Sequence, residues 1–281
     1  PLTDEATVLA GTFATPGNTM PSVLSAHLSP SGLDAIGAYA ATALDPSLLL
    51  KEKESLNPVY ENEAILGSWM NADLVGLTFQ DPALSITPTG GALEVTIELP
   101  DLVVDLSAYG EVVWIDYAMD LQMAAEAAVI TAEIMIEAAD GGLEIAMIDP
   151  DISLEGFTYD LSILPDFIES YFFVETIQGT VEQLLIDQSN ELIPAMIDET
   201  LAGLEFAYTM DLLGSELSLA ADFADVDITT AGVSMDMDVN VTMPGSGTVS
   251  YAGYLSAPTV SIPDYQHDSP LSLVVSDDLL N

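Results

Sequence analysis

The chain has 281 residues and a formal net charge of −44, because 46 aspartates and glutamates stand against two lysines and no arginine. Nucleic acids and anionic lipid headgroups, lipid A included, are also negative, so this charge excludes them as electrostatic partners. The absence of cysteine excludes a disulfide framework. No stretch reaches the roughly 18 uncharged apolar residues that are typical of a membrane span.

A short amphipathic helix is predicted after Ser29. Ser29 or Ser31 can cap its first turn, and Asp34 follows Ser31 at the spacing of a capping box. Asp45-Pro46 is expected to end or bend the helix, because a residue before proline disfavours helical backbone. The apolar residues between these signals recur at helical spacing and form one narrow face: Leu33, Ile36, Ala40, Ala43 and Leu44.

Period-two patterns predict long antiparallel strands beyond this helix. Apolar residues alternate with polar ones over residues 93–99, 113–123 and 130–136. Gly141-Gly142 predicts a hairpin into a further strand over residues 143–147. A second β stretch is predicted over residues 217–241. These strands have one dry face and one strongly acidic face, which is typical of antiparallel sheets covered on one side.

A very long helix is predicted between the two β stretches, from about Pro165 to Gly203. Its apolar residues fall mostly three or four positions apart. Pro165 suits the first helical position and Gly203 suits the stop after the last turn. Pro194 lies inside this helix without a backbone N–H, so a kink is expected near Asn190.

The acidic residues allow two interpretations, a solvated surface suited to high salt or the binding of cations such as calcium. Asp236, Asp238 and Asn240 look like the start of an EF-hand loop. That interpretation fails, because Val241 stands where the loop needs glycine and Gly247 where it needs a bidentate glutamate. On a strand the three polar residues simply share the wet face. We therefore predict no metal site, and general calcium binding stays open.

Nothing in the sequence predicts an enzyme. His27 lies on the predicted first strand, where a structural role is favoured over that of a base. His267-Asp268 is expected to make local hydrogen bonds. The chain has no G-x-S-x-G elbow, no phosphate-binding glycine loop and no H-E-x-x-H motif. Carboxylate pairs are too numerous to point to a hydrolase.

Segments near both ends of the chain carry motifs of a known family. Residues 23–35, VLSAHLSPSGLDA, lead into a helix, and residues 267–281 read HDSPLSLVVSDDLLN. The first segment resembles the strand and "GLDYA" helix that open the first barrel of the bactericidal/permeability-increasing protein family. The second resembles the "HD…L.LSD..FN" segment that closes this barrel. The long predicted helix lies where that family has its second helix.

This resemblance implies an α+β fold, in which a coiled antiparallel β-sheet wraps around one long helix and is joined by a shorter helix. The implied fold is the lipid-binding TULIP barrel, with an apolar pocket for acyl chains. Residues 1–21 are expected to be a linker or lead-in, residues 22–266 the barrel, and residues 267–281 a closing segment that leads toward a second barrel. The resemblance also implies a secreted, periplasmic or cell-surface location.

Two departures from the family limit what the resemblance implies. Mammalian members have a disulfide in this barrel, and this chain has no cysteine. Endotoxin-binding members have a basic tip, whereas the cations here are Lys51 and Lys53. Recognition of lipopolysaccharide phosphates is therefore not expected of this chain, and anionic endotoxin is excluded as a partner.

The candidate pocket wall combines both helices and several strands. Methionine suits a site for variable chains because it is unbranched and adaptable. For each residue the alternative is ordinary core packing. The predicted wall consists of Ile36, Ala40, Met119, Met123, Met135, Met147, Phe172, Phe173, Ile177 and Val181.

The leading functional hypothesis is non-enzymatic lipid binding or transfer in a salt-adapted, bacterial or similar secreted protein. Acyl chains would partition from water into the pocket at roughly 0.8 kcal/mol per buried methylene. No cofactor is expected beyond a bound phospholipid or fatty acid. The alternative is a structural or adhesive extracellular surface module whose core is simply filled.

Overall fold

The computed structural model describes residues 12–13, 19–50, 57–62, 69–112, 114–159, 174–202, 207–212, 215–242, 255–256 and 269–275. Several features predicted from the sequence lie outside these ranges: Lys51, Lys53, Pro165, Phe172, Phe173, Gly203, Gly247 and His267. The side chain of Ile177 is also outside the description, although its backbone is helical.

The described ranges contain three helices, which are α1 (Pro30–Ala43), α2 (Pro46–Leu49) and α3 (Val174–Ala202). The strands before α3 are β1 (Thr12–Phe13), β2 (Thr19–Leu28), β3 (Tyr60–Asn62), β4 (Trp69–Thr78), β5 (Ala83–Pro88), β6 (Leu93–Val112), β7 (Ile115–Ala139), β8 (Gly142–Glu155) and β9 (Thr158–Tyr159). The strands after it are β10 (Ala207–Leu212), β11 (Ser215–Thr229), β12 (Gly232–Thr242), β13 (Leu255–Ser256) and β14 (Leu271–Val275).

The strands β1 and β13 pair with each other, and the other strands form two large sheets in which the neighbouring strands run antiparallel. The seven-stranded sheet has the order β3-β4-β6-β7-β8, with β5 also paired to β6 and β9 to β7. The five-stranded sheet has the order β10-β11-β12-β2-β14. Together with one long and one shorter helix, these curled sheets give the α+β architecture predicted from the sequence.

The start of α1 follows the predicted capping signal. Ser29 is the N-cap, and its Oγ accepts a hydrogen bond from the backbone N–H of Gly32 at 3.3 Å. The helix ends at Ala43, and α2 begins at Pro46 with Asp45 as its cap. Hydrogen bonds from the hydroxyl and backbone N–H of Ser47 lower the pKa of the Asp45 carboxyl.

Small residues let α1 lie close to the sheet. A Cβ on Gly37 would stand 2.6 Å from the backbone oxygen of Leu84 on β5, so glycine is required for this approach. A Cβ on Gly32 would meet the backbone oxygen of Pro270 at the start of β14. These contacts join α1 to both sheets and place Ile36 and Ala40 in the core.

The long strands β6 and β7 exchange their buried faces near the middle of their length. On β6 the buried positions are odd-numbered up to Leu99 and even-numbered from Leu102. On β7 they are odd-numbered up to Ala127 and even-numbered from Ala128. Asp101, which has a φ of 49°, lies at the changeover on β6. Both halves thereby contribute to one core cluster.

The helix α3 packs mainly on β8 and also touches α1. It continues through Pro194 to Ala202, so the predicted long helix is present over its described part. Its buried apolar side chains recur at helical spacing and cover one side of the helix: Val181, Leu184, Leu185, Ile193, Ile197 and Leu201.

In the described strands the acidic residues lie on the outer faces of the sheets. Within the described ranges no aspartate or glutamate is among the fully buried residues. On β12, Asp236, Asp238 and Asn240 alternate with the fully buried Met235 and Met237, as expected for a strand with one wet face. In the described part of the chain, no three histidine, aspartate or glutamate side chains converge in a way that could hold a metal ion.

Candidate functional site

The helix–sheet seam is the apolar contact between α3 and the inner face of the seven-stranded sheet. Val181, Leu185, Ile193 and Ile197 supply the helix side, and none of them is more than 3% exposed. The sequence produces this side because apolar residues recur every three or four positions in α3. The two parts of the seam, near Val181 and near Pro194, differ in how tightly they close.

The seam is closed near Val181. This side chain meets a crevice whose volume leaves no room for a water molecule. Such close packing is typical of a protein core. The crevice is lined almost entirely by aliphatic and aromatic groups from β6, β7, β8 and the turn after β8: Leu102, Val104, Met123, Ala124, Ala125, Leu154 and Phe157.

The seam is open near Pro194, where a groove of about 300 Å³ lies between α3 and β8. Leu143 and Ile145 form the strand wall, and Pro194 and Ala195 form the helix wall. Because proline has no N–H, it cannot donate the helical hydrogen bond to the carbonyl of Asn190. Glu144 and Asp198 bring carboxylates to the rim of the groove.

Two polar side chains are buried on α3 between these two places. Gln188 is 9% exposed and Ser189 is 5% exposed. Binding sites for apolar ligands usually contain a few polar groups of this kind, which orient the ligand. The sequence did not predict that these two side chains are buried, because Gln and Ser in an amphipathic helix are normally expected on its solvent-facing side.

The structure brings some of the predicted wall residues together and separates others. Met123 and Val181 line the same closed crevice. Met119 and Met147 are partly buried against the core, on the inner face of their strands. Met135 lies on the outer face of β7, because its neighbours Ile134 and Ile136 point into the core, and it is therefore not brought to the seam.

The predicted wall residues on α1 belong to a different contact. Ile36 and Ala40 are buried on the helix that lies against β5. Phe172 and Phe173 lie outside the described residues, and the side chain of Ile177 does too. The groove residues Leu143, Ile145, Pro194 and Ala195 were not predicted as a site. The available signal was a proline inside a helix that had to pack on the strand over residues 143–147.

Two titratable groups, those of Tyr117 and His27, lie in or against the core. The hydroxyl of Tyr117 is buried without a hydrogen-bond partner, and burial, with Tyr60 nearby, raises its pKa to about 12. It therefore stays protonated near neutral pH. His27 is buried on β2, with its Nδ1 3.0 Å from the hydroxyl of Ser234 on β12. That position in the five-stranded sheet fits the predicted structural role.

The length and the apolarity of a helix decide whether it can cross a membrane. Among the described residues, no helix combines the length and the apolarity that crossing a bilayer requires.

Comparison with known proteins yields a match in structure but none in sequence. No family model matches the chain, and no curated protein matches it. The crystal structure of lipopolysaccharide binding protein matches with a TM-score of 0.58 at 14% identity, covering 92% of this chain and 58% of that one. The solution structure of latherin matches with a TM-score of 0.32 at 13% identity, covering 63% of this chain and 86% of that one.

The match to lipopolysaccharide binding protein shows the fold. This chain has the BPI-like TULIP fold, and the resemblance read from its two end segments is confirmed at that level. The chain spans 58% of the length of lipopolysaccharide binding protein.

Proposed function

We propose that this protein binds the acyl chains of lipids in the helix–sheet seam and carries them without making or breaking a bond. The observation that carries the proposal is the open groove at Pro194, whose walls are aliphatic. Its volume of about 300 Å³ is at the lower end of the roughly 300–1,000 Å³ that is usual for small-molecule sites.

The fold and the apolar lining support this proposal together. Lipopolysaccharide binding protein, which shares the fold, binds lipopolysaccharide according to its name. The closed crevice beyond Gln188 extends the apolar lining toward Val181, so a longer acyl chain would enter by separating Val181 from Met123. Each methylene transferred from water would contribute about 0.8 kcal/mol.

The charge of the chain narrows the proposed ligand class. With a net charge of −44 and two lysines, the protein offers no basic surface for lipid A phosphates. The proposed ligand is a phospholipid or fatty acid held by its acyl part, and no metal or other cofactor takes part. The proposed location is extracellular, periplasmic or at the cell surface, in an organism adapted to salt.

Native mass spectrometry of the protein from its native host, followed by solvent extraction, tests the proposal. Roughly stoichiometric acyl lipid is expected, and lipid-free protein should bind a fluorescent fatty-acyl probe. Repeated extraction without lipid, together with no probe binding, would contradict the proposal.

The second candidate is a structural or adhesive surface module. The closed crevice at Val181 favours it, because a core that is already filled there needs no ligand. In that case the groove at Pro194 is a surface depression, and the same extraction and probe experiments give negative results.

A further inference from the structure

The groove at Pro194 has an apolar interior and an acidic rim. Its walls are the aliphatic side chains of β8 and α3, and its volume is about 300 Å³. Glu144 on the strand side and Asp198 on the helix side are both exposed at the rim. A ligand whose apolar chain lies between these walls would therefore place its headgroup beside the two carboxylates.

Two further carboxylates lie next to this rim. Glu137 on β7 is the cross-strand partner of Glu144. Glu191 precedes Ala195 by four positions and Asp198 follows it by three, so both are neighbours of Ala195 on the surface of α3. Glu137 and Glu191 are exposed as well. Three elements, β7, β8 and α3, thus bring carboxylates to the opening of the groove.

No basic side chain offsets these carboxylates within the described ranges. The chain has no arginine, and its two lysines, Lys51 and Lys53, lie outside those ranges. Carboxylates without a neighbouring cation repel a carboxylate, sulfate or phosphate group and attract an ammonium group. The rim therefore favours a ligand with a positive charge next to its apolar chain.

The room in the groove limits the number of chains that it can hold. Its volume is at the lower end of the range for small-molecule sites. The neighbouring crevice at Val181 has no room even for a water molecule. Two acyl chains side by side would have to open this closed part of the seam, which costs packing contacts. One chain can use the groove as it stands.

We propose that the groove selects single-chain lipids with an ammonium headgroup and disfavours fatty acids. This inference rests on acyl-chain binding in the seam and narrows its ligand class. Burial of the chain gives affinity to any headgroup, and Glu144 and Asp198 supply the choice between headgroups. Because both carboxylates are exposed, the preference is moderate and is weakened by salt.

Competition against the fluorescent acyl probe measures this preference with matched amphiphiles. Dodecyltrimethylammonium, dodecyl maltoside and dodecyl sulfate have the same chain and differ in their headgroups. Below their micelle concentrations and at low ionic strength, the ammonium compound should displace the probe at a concentration about tenfold or more below that of the sulfate. The maltoside should lie between them. In molar sodium chloride the three compounds should become nearly equal.

Two double variants separate the rim from the net charge of the protein. Glu144→Gln with Asp198→Asn should lower the affinity for the ammonium compound about fivefold at low salt and leave that for the maltoside unchanged. Glu155→Gln with Glu199→Gln is the matched control, because it removes one exposed carboxylate from β8 and one from α3 outside the groove. The control should bind all three amphiphiles like the parent protein.

Chain number is tested with a single headgroup. Native mass spectrometry with lysophosphatidylethanolamine should show a complex with one lipid per protein. Diacyl phosphatidylethanolamine with the same acyl chain should bind more weakly, because the seam has to open for its second chain.

Three results would overturn the proposed selection. The first is equal affinity for the three amphiphiles while the probe still binds, which would leave acyl binding standing without a choice of headgroup. The second is an equal loss of affinity in the rim variant and in its control, which would assign the preference to the whole acidic surface. The third is equal or tighter binding of the diacyl lipid. If neither the probe nor dodecyl maltoside binds, acyl binding itself is contradicted, and the selection with it.

Discussion

The inner and outer faces of the seven-stranded sheet are built from alternating residues of the same strands, yet they differ in almost every property. On the inner face Ile130 and Ile134 are no more than 1% exposed. On the outer face Glu94 lies directly opposite Glu133, and Glu137 opposite Glu144. Like charges that face each other across strands are destabilising. Apolar burial on the inner face therefore stabilises the fold, and charge repulsion on the outer face destabilises it.

This difference gives the two faces of one sheet different responses to salt. Apolar burial on the inner face depends little on ionic strength, whereas repulsion on the outer face decreases as salt screens it. The two faces meet at the groove, where Leu143 and Ile145 stand beside Glu144 and Asp198. The proposed lipid binding would therefore belong to the inner face, and the expected salt dependence to the outer one.

The largest effect is expected for Leu185→Ala on the inner side of α3. Leu185 is 0% exposed, so its truncation should lower the free energy of unfolding by about 2–5 kcal/mol. Leu143→Ala at the groove wall is the matched control, and it should cost about half as much or less because Leu143 is only half-buried. Urea denaturation measures both values. Equal losses would mean that the groove is as tightly packed as the core.

A large rise in melting temperature is expected between low and molar sodium chloride. The screening length falls from about 10 Å at 0.1 M to about 3 Å at 1 M salt, which removes most of the repulsion between outer-face carboxylates. Differential scanning calorimetry measures the shift. If sodium chloride has no effect while millimolar calcium raises the melting temperature, the carboxylates bind metal specifically and the surface interpretation is wrong.

Tyr117→Phe should stabilise the protein by about 1 kcal/mol, because it removes a buried hydroxyl without a hydrogen-bond partner. Burial raises the pKa of Tyr117 from 10.0 to about 12. In that pH window the folded state binds more protons than the unfolded one, so stability falls as pH rises. In the variant this decrease in stability with pH should be absent. Its ultraviolet absorbance should show one fewer tyrosine that ionises at high pH. A clear destabilisation would show that the hydroxyl is hydrogen-bonded.

The smallest effect is expected for Glu94→Gln on the outer face. It relieves the repulsion with Glu133, so the gain should be about 0.2–1 kcal/mol at low salt and should vanish at molar salt. Glu98→Gln is the control, because the cross-strand partner of Glu98 is Val129. Equal gains for both variants would show that net charge, rather than the facing pair, sets the effect.

The sequence predicted the elements better than it predicted how they join. The apolar pattern is odd-numbered over residues 113–123 and even-numbered over 130–136, which indicated two strands. The structure has one strand, β7, with the change of face at Ala127. The alanine-rich stretch over residues 124–128 offers no contrast between apolar and polar positions. A left-handed residue such as Asp101, which accompanies the change, cannot be read from periodicity.

The structure brings some of the predicted wall residues together, and their role in binding acyl chains stays a prediction. Periodicity in α3 put Val181 in the predicted wall, and the structure brings it to the same closed crevice as Met123. The same reasoning put Met135 in the wall. A periodic pattern does not show which face of β7 points into the core once the buried positions change from odd to even numbers. The groove depends on the pairing of Pro194 with β8, two segments far apart in the chain, and local patterns carry no information about that contact.

Probe binding by Ala195→Trp tests acyl binding in the seam most directly. Ala195 lines the groove, so an indole there should fill it and reduce binding of a fluorescent acyl probe several-fold. The free energy of unfolding should change by no more than about 0.5 kcal/mol, since Ala195 is exposed. Gln183→Trp, at an exposed position of α3 outside the groove, should bind the probe like the parent protein. Equal probe binding by all three proteins would contradict acyl binding at this groove.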